Sequence, residues 1–223
     1  MKVLYGSQNF GFNTPSSDRD FMEIVFPTWD DVLKNRMIST TTKNDDGSLT
    51  KVVDIRVFLK NLIKGGFSDI QTLYAVEYID DCDKSLEDFK WFIDNRDRII
   101  RVSPWDMYIT NLGCMRTMYN PKKGLSPKDL LHLYVFFDLT ELIASNKKFK
   151  IHNGKYLNYR YFTESLSEAE LMAAANEIMQ KMNDLESHFI KFKDIRDEKL
   201  IKEMEDVVIE LMDLRLSAEY INR

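Results

Sequence analysis

The stretch from Leu49 to Gly66 changes its hydrophobic period midway, and that switch limits the fold more than any other feature of the chain. Leu49 to Arg56 is rich in β-branched residues, as a strand is. From Val57, the apolar side chains Phe58, Leu59, Leu62 and Ile63 recur at helical spacing until Gly65-Gly66 stops the element. A strand that feeds directly into a helix belongs to neither an all-α nor an all-β protein. Upstream, Ile38 to Lys43 is a second β-branched run, joined to the first through Asn44-Asp45-Asp46-Gly47-Ser48, whose Asp-Gly pair signals a hairpin. Lys2 to Tyr5 and Asp18 to Phe26 read as two further strands. The expected fold is therefore α+β, a small mixed sheet flanked by helices and followed by a C-terminal helical region.

Short helices are predicted at Trp29 to Met37 and within Asp69 to Ile79, the latter with a further strand. Longer helical stretches follow at Leu86 to Arg101, Pro104 to Met118 and Pro127 to Ala144. The last is apolar nearly all round, which predicts a central position in the core. Beyond Ser165, one stripe runs through Leu171, Ala174, Ile178, Met182, Leu185, Phe189 and Phe192. A second runs through Leu200, Met204, Val207, Leu211, Leu214, Ala218 and Ile221. Both step by three and four, which predicts an antiparallel helical hairpin over 165–223 that turns near Lys193-Asp194. The near-heptad second stripe also permits a dimer seam, so monomer and dimer both stay open. The domain reading is a catalytic unit over 1–120 and a helical region over 121–223.

No apolar run reaches the roughly 18 residues that span a bilayer, and the first residues lack a signal-peptide layout. A cytoplasmic protein with no membrane partner is expected. Cys82 and Cys114 stand far apart, outside any zinc spacing, and read as buried thiols in a reducing compartment. The net charge of −5 hides a gradient: residues 116–163 carry 9 basic and 3 acidic side chains, whereas 164–223 carry 8 and 15. A polyanion partner is confined by this to the middle segment.

Chemistry concentrates between Gly6 and Asp20. In a strand alternate side chains share a face, so Asp18 and Asp20 project together, and two adjacent carboxylates repel unless a cation sits between them. The pair reads as a site for Mg²⁺, or for Mn²⁺ in its place. Gly6-Ser7, at the end of the preceding strand, offers backbone N–H groups and a hydroxyl to phosphate oxygens. Either half alone is an ordinary turn or a solvated edge. Asp54 is a lone acid in the β-branched run Val52 to Ile55; a shared metal gives it a reason to be there, and alternation that simply points it to solvent is the other reading.

Together, Gly6-Ser7, Gly11 and Ser17-Asp18-Arg19-Asp20 resemble the Gly-Ser…Ser-Asp-x-Asp signature of the DNA polymerase β nucleotidyltransferase superfamily. The spacing is similar to that of the branch named for RNA repair and DNA polymerase β, in which the helix after the third acid also ends in Lys-Gly, as Lys64-Gly65 does here. The resemblance covers about residues 3–75. It implies a minimal catalytic core in which Asp18, Asp20 and Asp54 hold two Mg²⁺ ions while Gly6, Ser7 and Ser17 contact the triphosphate. A later helix with Lys, His and Arg is also implied; Lys128 and His132 fit it and could face the triphosphate, but Val135 stands where the Arg is expected, and a lone His in the apolar run Leu130 to Phe137 reads equally as a satisfied core residue. The superfamily's usual helix before the first strand has no counterpart here, where only Met1 precedes β-like sequence.

The activity so implied is transfer of a nucleoside monophosphate from a nucleoside triphosphate to an acceptor hydroxyl, with release of pyrophosphate. Lys147, Lys148 and Lys150, with Arg116, Lys122, Lys123, Lys155 and Arg160, lie among Tyr119, Phe149, Tyr156, Tyr159 and Tyr161, a mixture that suits the 3′ end of a tRNA-like RNA acceptor. Scattered surface lysines are the plainer reading of that segment. Two rival functions share the residues: adenylylation of a protein or small molecule, and a non-catalytic nucleotide-binding partner in a toxin and antitoxin pair.

Overall fold

The computed structural model describes residues 1–15, 17–75, 87–119, 124–148, 150–152 and 154–221. Its elements in chain order are β1 (Lys2–Leu4), α1 (Ser7–Phe10), β2 (Phe21–Val25), α2 (Trp29–Leu33), β3 (Ser39–Lys43), β4 (Leu49–Asp54), α3 (Ile55–Ile63) and α4 (Phe67–Ile70). A 3₁₀ turn at Gln71–Tyr74 follows, then α5 (Lys90–Asp94), α6 (Arg96–Ile99), α7 (Pro104–Met118), α8 (Pro127–Ala144), α9 (Lys155–Glu164), α10 (Glu168–Asp184), α11 (Glu186–Phe189) and α12 (Glu198–Ile221). The chain is α+β, with one mixed sheet in the order β1-β2-β4-β3.

The sheet follows the hydrophobic pattern. β2 runs parallel to β4, from Phe21 opposite Thr50 to Val25 opposite Asp54, while β1 and β3 pair antiparallel on either side. Val3, Met22, Ile24 and Val53 are fully buried or nearly so. α3 packs behind β2 and β4 and buries Ile55, Phe58 and Leu62. The hairpin predicted from Asp46-Gly47 joins β3 to β4, closed by the Asn44 N–H on the Ser48 carbonyl at 2.8 Å, with Asp46 holding the Ser48 N–H and hydroxyl.

Two sequence expectations shift. β2 begins at Phe21, so Asp18 and Asp20 lie ahead of the strand instead of inside it, although the Tyr5 N–H reaches the Asp20 carbonyl at 2.8 Å and carries the β1 pairing one residue further. The two long C-terminal helices do not form a self-contained hairpin. α10 packs mainly against α8, and α12 against α3. The chain does turn near Lys193-Asp194, where Asp194 has φ 63, but the stripes were complementary to the body, not to each other. The second stripe stops short, since Leu214 is 62% and Ile221 81% exposed. The further strand predicted near Ile79 lies outside the described residues, as does Cys82; Cys114 is partly buried, and burial pushes its thiol pKa up.

α8 is the central helix the composition predicted. Ser126 caps it in a reciprocal box with Asp129, Pro127 starts it, and half its residues are buried against α7, α9 and α10. One hydrophobic core includes Val3 and Met22 of the sheet as well as Leu130, Leu139 and Met182 of the helices, so a boundary near residue 120 does not separate two cores. Among the described residues no helix is long and apolar enough to cross a membrane.

Candidate functional site

The Gly6–Asp20 loop is a small folded unit. Gly6 has φ 69 and ψ −141, a backbone state closed to most side chains, and its carbonyl accepts the N–H groups of Asn9 and Phe10 to start α1. A Cβ there would lie 3.5 Å from Asp20 Oδ2, an ordinary contact, so it is the positive φ and not a lack of space that calls for glycine. Gly11 ends α1 with φ 78, and a Cβ on it would come within 2.8 Å of the His152 ring. The glycine thus admits the His152 imidazole across the motif, a contact that spacing within the motif does not reveal. Ser17 shapes the last turn: its Oγ accepts the Thr14 N–H at 2.9 Å, and its own N–H returns to the Thr14 carbonyl.

This loop delivers Ser7, Ser17, Asp18 and Asp20 to one pocket, whose other walls are Phe12, Pro127, Lys128 and Leu131, then Arg160, Thr163 and Glu164 of α9. Its volume is about 180 Å³. Whole-ligand sites run to roughly 300–1,000 Å³, so the space suits a phosphate tail more than an entire nucleotide. Asp20 Oδ1 accepts the Leu49 N–H at 2.9 Å, leaving Oδ2 on the Gly6 side. Asp18 is exposed. Lys128, in the first turn of α8, makes no ion pair among the described residues. The N–H groups of that turn are partly engaged by the Ser126–Asp129 cap, so the lysine side chain is its main offering to an anion.

Asp54 is not in this pocket. It pairs with Val25 at the far end of β2, whereas Asp20 bonds to Leu49; five residues along β4 separate the two, or about 16 Å. The expected three-carboxylate cluster is therefore corrected to a pair, and among the described residues no group of three acids, cysteines or histidines is placed to share a metal. Asp54 has a different partner. It is buried, caps α3 by accepting the Arg56 N–H at 2.8 Å, and holds the Arg56 guanidinium through Nε at 2.9 Å and Nη2 at 2.7 Å. This answers why an acid stands in a β-branched run: a buried carboxylate is tolerated once fully bonded.

For His132 the core reading holds and the triphosphate contact does not. It lies one turn behind Lys128, edge-on to Phe12 with ring centroids 5.7 Å apart, and outside the pocket lining. Burial, reinforced by Lys128, lowers its pKa to about 4, so the imidazole is neutral at pH 7 and serves as packing behind the loop. Near the pocket, Tyr5 is pushed up to about 12 by burial, with Asp69 and Asp20 adding to the rise. Asp69 is itself buried, with one oxygen on Asn61 Nδ2 at 3.1 Å and the other unbonded, and burial raises its pKa.

The basic segment is dispersed by the fold. Lys147, Lys148 and Lys150 are exposed just beyond the C-terminal end of α8, while Lys128 is at its start, about 24 Å away along the helix axis. Lys155 is bound to the buried Asp138 at 2.6 Å, Tyr156 is buried, and Tyr119 bonds to Asn176. Lys122, Lys123 and Phe149 lie outside the described residues. Arg160 belongs to the pocket instead, a role that its place in a run of lysines and tyrosines did not signal.

Two outcomes follow from these placements. Asp54→Asn breaks a buried pair and should cost about 3 kcal/mol in urea unfolding, while the folded protein's affinity for Mg²⁺ stays unchanged; lost metal affinity with unaltered stability would return Asp54 to a metal site. For His132 the folded pKa lies below the unfolded value, so its stabilisation is complete above pH 6.5 and is lost as pH falls toward 4. His132→Gln should flatten the pH–stability curve in that window by on the order of 3 kcal/mol relative to the parent, and parallel curves would show that the imidazole is not held neutral.

No protein-family model matches the chain, and neither a search of curated proteins nor one of solved structures finds a match. The chemistry of the pocket is thus the basis for any functional reading.

Proposed function

We propose that the chain is a metal-dependent nucleotidyltransferase that moves a nucleoside monophosphate from a nucleoside triphosphate to an acceptor hydroxyl. One observation carries the reading: Ser7, Ser17, Asp18, Asp20 and Lys128, spread over more than half the chain, line a single phosphate-sized pocket. Two acids of the loop facing the cations Lys128 and Arg160 across an open pocket are a poor packing arrangement and a good receptor for a metal–polyphosphate. The donor set fits a hard divalent cation, since Asp18 and Asp20 present carboxylate oxygens, of which only Asp20 Oδ1 is seen engaged among the described residues. Mg²⁺ held by Asp18 and Asp20 would neutralise phosphate charge and orient the triphosphate.

The chain's own contribution is positioning. Lys128 and the Ser7 hydroxyl grip the outer phosphates, and the acceptor oxygen attacks the α-phosphorus as the bond to pyrophosphate breaks and the acceptor's hydroxyl proton passes to solvent. Stabilising the departing pyrophosphate charge is the part of the reaction to which fixed donors contribute most. Asp54, about 16 Å away along the strand, does not join Asp18 and Asp20 as a third metal carboxylate. That distance favours a second reading, a module that binds a nucleoside triphosphate without turning it over. The acceptor in the catalytic reading is an RNA 3′ end reached over the exposed Lys147, Lys148 and Lys150; a protein or small hydroxyl compound is the alternative acceptor.

Incubation with each labelled triphosphate, Mg²⁺, total RNA and a protein extract separates these readings. Asp18→Asn and Asp20→Asn should each lower label transfer by on the order of 10²–10³ while leaving the melting temperature intact. Transfer that is absent from the parent, or equal in parent and variants, selects the binding module. Replacing Lys147, Lys148 and Lys150 together by Ala should reduce the slope of log affinity against log salt for single-stranded RNA by about 2; an unchanged slope moves the acceptor to a protein or small molecule.

A further inference from the structure

The α9 wall of the pocket carries a cation that the loop motif does not call for. Arg160 Nε donates to the Glu164 carboxylate at 2.8 Å, and its Nη1 donates to the Phe12 carbonyl at 3.0 Å. Two acceptors from different elements thereby fix the plane of the guanidinium. Nη2 keeps both its hydrogens uncommitted among the described residues, and the side chain lines the same pocket as Ser7, Ser17 and Lys128. A guanidinium presented in this way is pre-organised, and its remaining donors match a phosphate edge. A surface arginine tied only to its i+4 glutamate would not need the Phe12 carbonyl.

Asp18 and Asp20 enter the pocket from the loop before β2, while both cations, Lys128 and Arg160, come from α8 and α9, where the third acid, Glu164, is bonded to Arg160. The ligand that complements such a lining is an anion carrying its own divalent cation, with the cation toward the acids and the anionic oxygens toward the helices. We propose that Arg160 is the second cation of the polyphosphate site, gripping with Lys128 the outer two phosphates that leave as pyrophosphate, and that Glu164 is the positioning group for its guanidinium. The identity of the ligand rests on the nucleotidyltransferase reading. The donor site then spans both halves of the chain: a loop of the sheet supplies the metal side, and the helical region supplies the phosphate side. Arg160 also ties α9 to Phe12, in the loop between the glycines and the acids, so polyphosphate binding tightens the same contact that orders the loop.

Calorimetric titration with tripolyphosphate and with AMP, each with Mg²⁺, tests this in the full chain. Arg160→Gln keeps an N–H for the Phe12 carbonyl and removes the charge; it should weaken tripolyphosphate by about 10- to 100-fold and leave AMP unchanged. Arg160→Lys keeps charge without the fork and should recover only part of that loss, which a merely structural role would not produce in a ligand-specific way. If Arg160→Gln is poorly folded, Arg160→Lys and the tripolyphosphate-induced rise in melting temperature give the same reading. Unchanged tripolyphosphate affinity in both Arg160 variants, with weakened affinity in Lys128→Gln, would overturn the role of Arg160 and leave the pocket assignment standing. No tripolyphosphate binding by the parent itself would overturn the polyphosphate pocket, and the proposal with it.

Discussion

The parallel pairing of β2 on β4 is the constraint on which the rest of the site depends. Its register is set by burial: Met22 and Ile24 on one strand and Val53 on the other must face the same core, and a slip by one residue would turn each of them to the opposite face. Once Phe21 is opposite Thr50, Asp20 falls beside the Leu49 N–H and Asp54 is carried to the other end of the sheet. There it meets Arg56, the start of α3 and a fully bonded environment. The same register that brings one carboxylate to the pocket removes another from it.

The second determinant is the seam between α8 and α9. α8 supplies Lys128 at its first turn, and α9 returns along it so that Arg160 and Glu164 come back to the same end. Lys155, at the other end of α9, is fixed to Asp138 in the interior of α8, which sets how far α9 is offset along its neighbour. Phe12 bridges the two layers. Its ring meets His132 edge-on and its carbonyl meets Arg160, so the loop bearing Asp18 and Asp20 is held by the helices from behind and above. Neutral His132 is consistent with that role, because a charged imidazole between Lys128 and an apolar ring would be doubly unfavourable.

Much of this was legible in the sequence. The strand-to-helix switch at Leu49–Gly66, the Asp46-Gly47 hairpin, the all-round apolar α8, and the grouping of Gly6, Ser7, Ser17, Asp18 and Asp20 are local matters, decided by period, turn chemistry and spacing over a few residues. The misread parts all depend on which distant surfaces meet. The C-terminal stripes correctly marked two helices, but a stripe does not name its partner, and α10 and α12 found α8 and α3 in place of each other. The basic run 147–160 is continuous along the chain, but the reversal after α8 sends it back along that helix as α9, which brings Arg160 to the pocket and leaves Lys147 at the far end.

By itself, then, the amino-acid sequence determined the α+β class, most element positions and a loop able to bring two acids and a glycine-serine turn together, because each follows from interactions within a few residues. Only the tertiary structure decided that Asp54 pairs with Arg56, that His132 packs behind Phe12, and that Lys128 and Arg160 face Asp18 and Asp20. Those outcomes are set by strand register and helix offset. Both are fixed by burial of side chains far apart in sequence, and a shift of one residue in either would rearrange every charge in the pocket without altering a single local propensity.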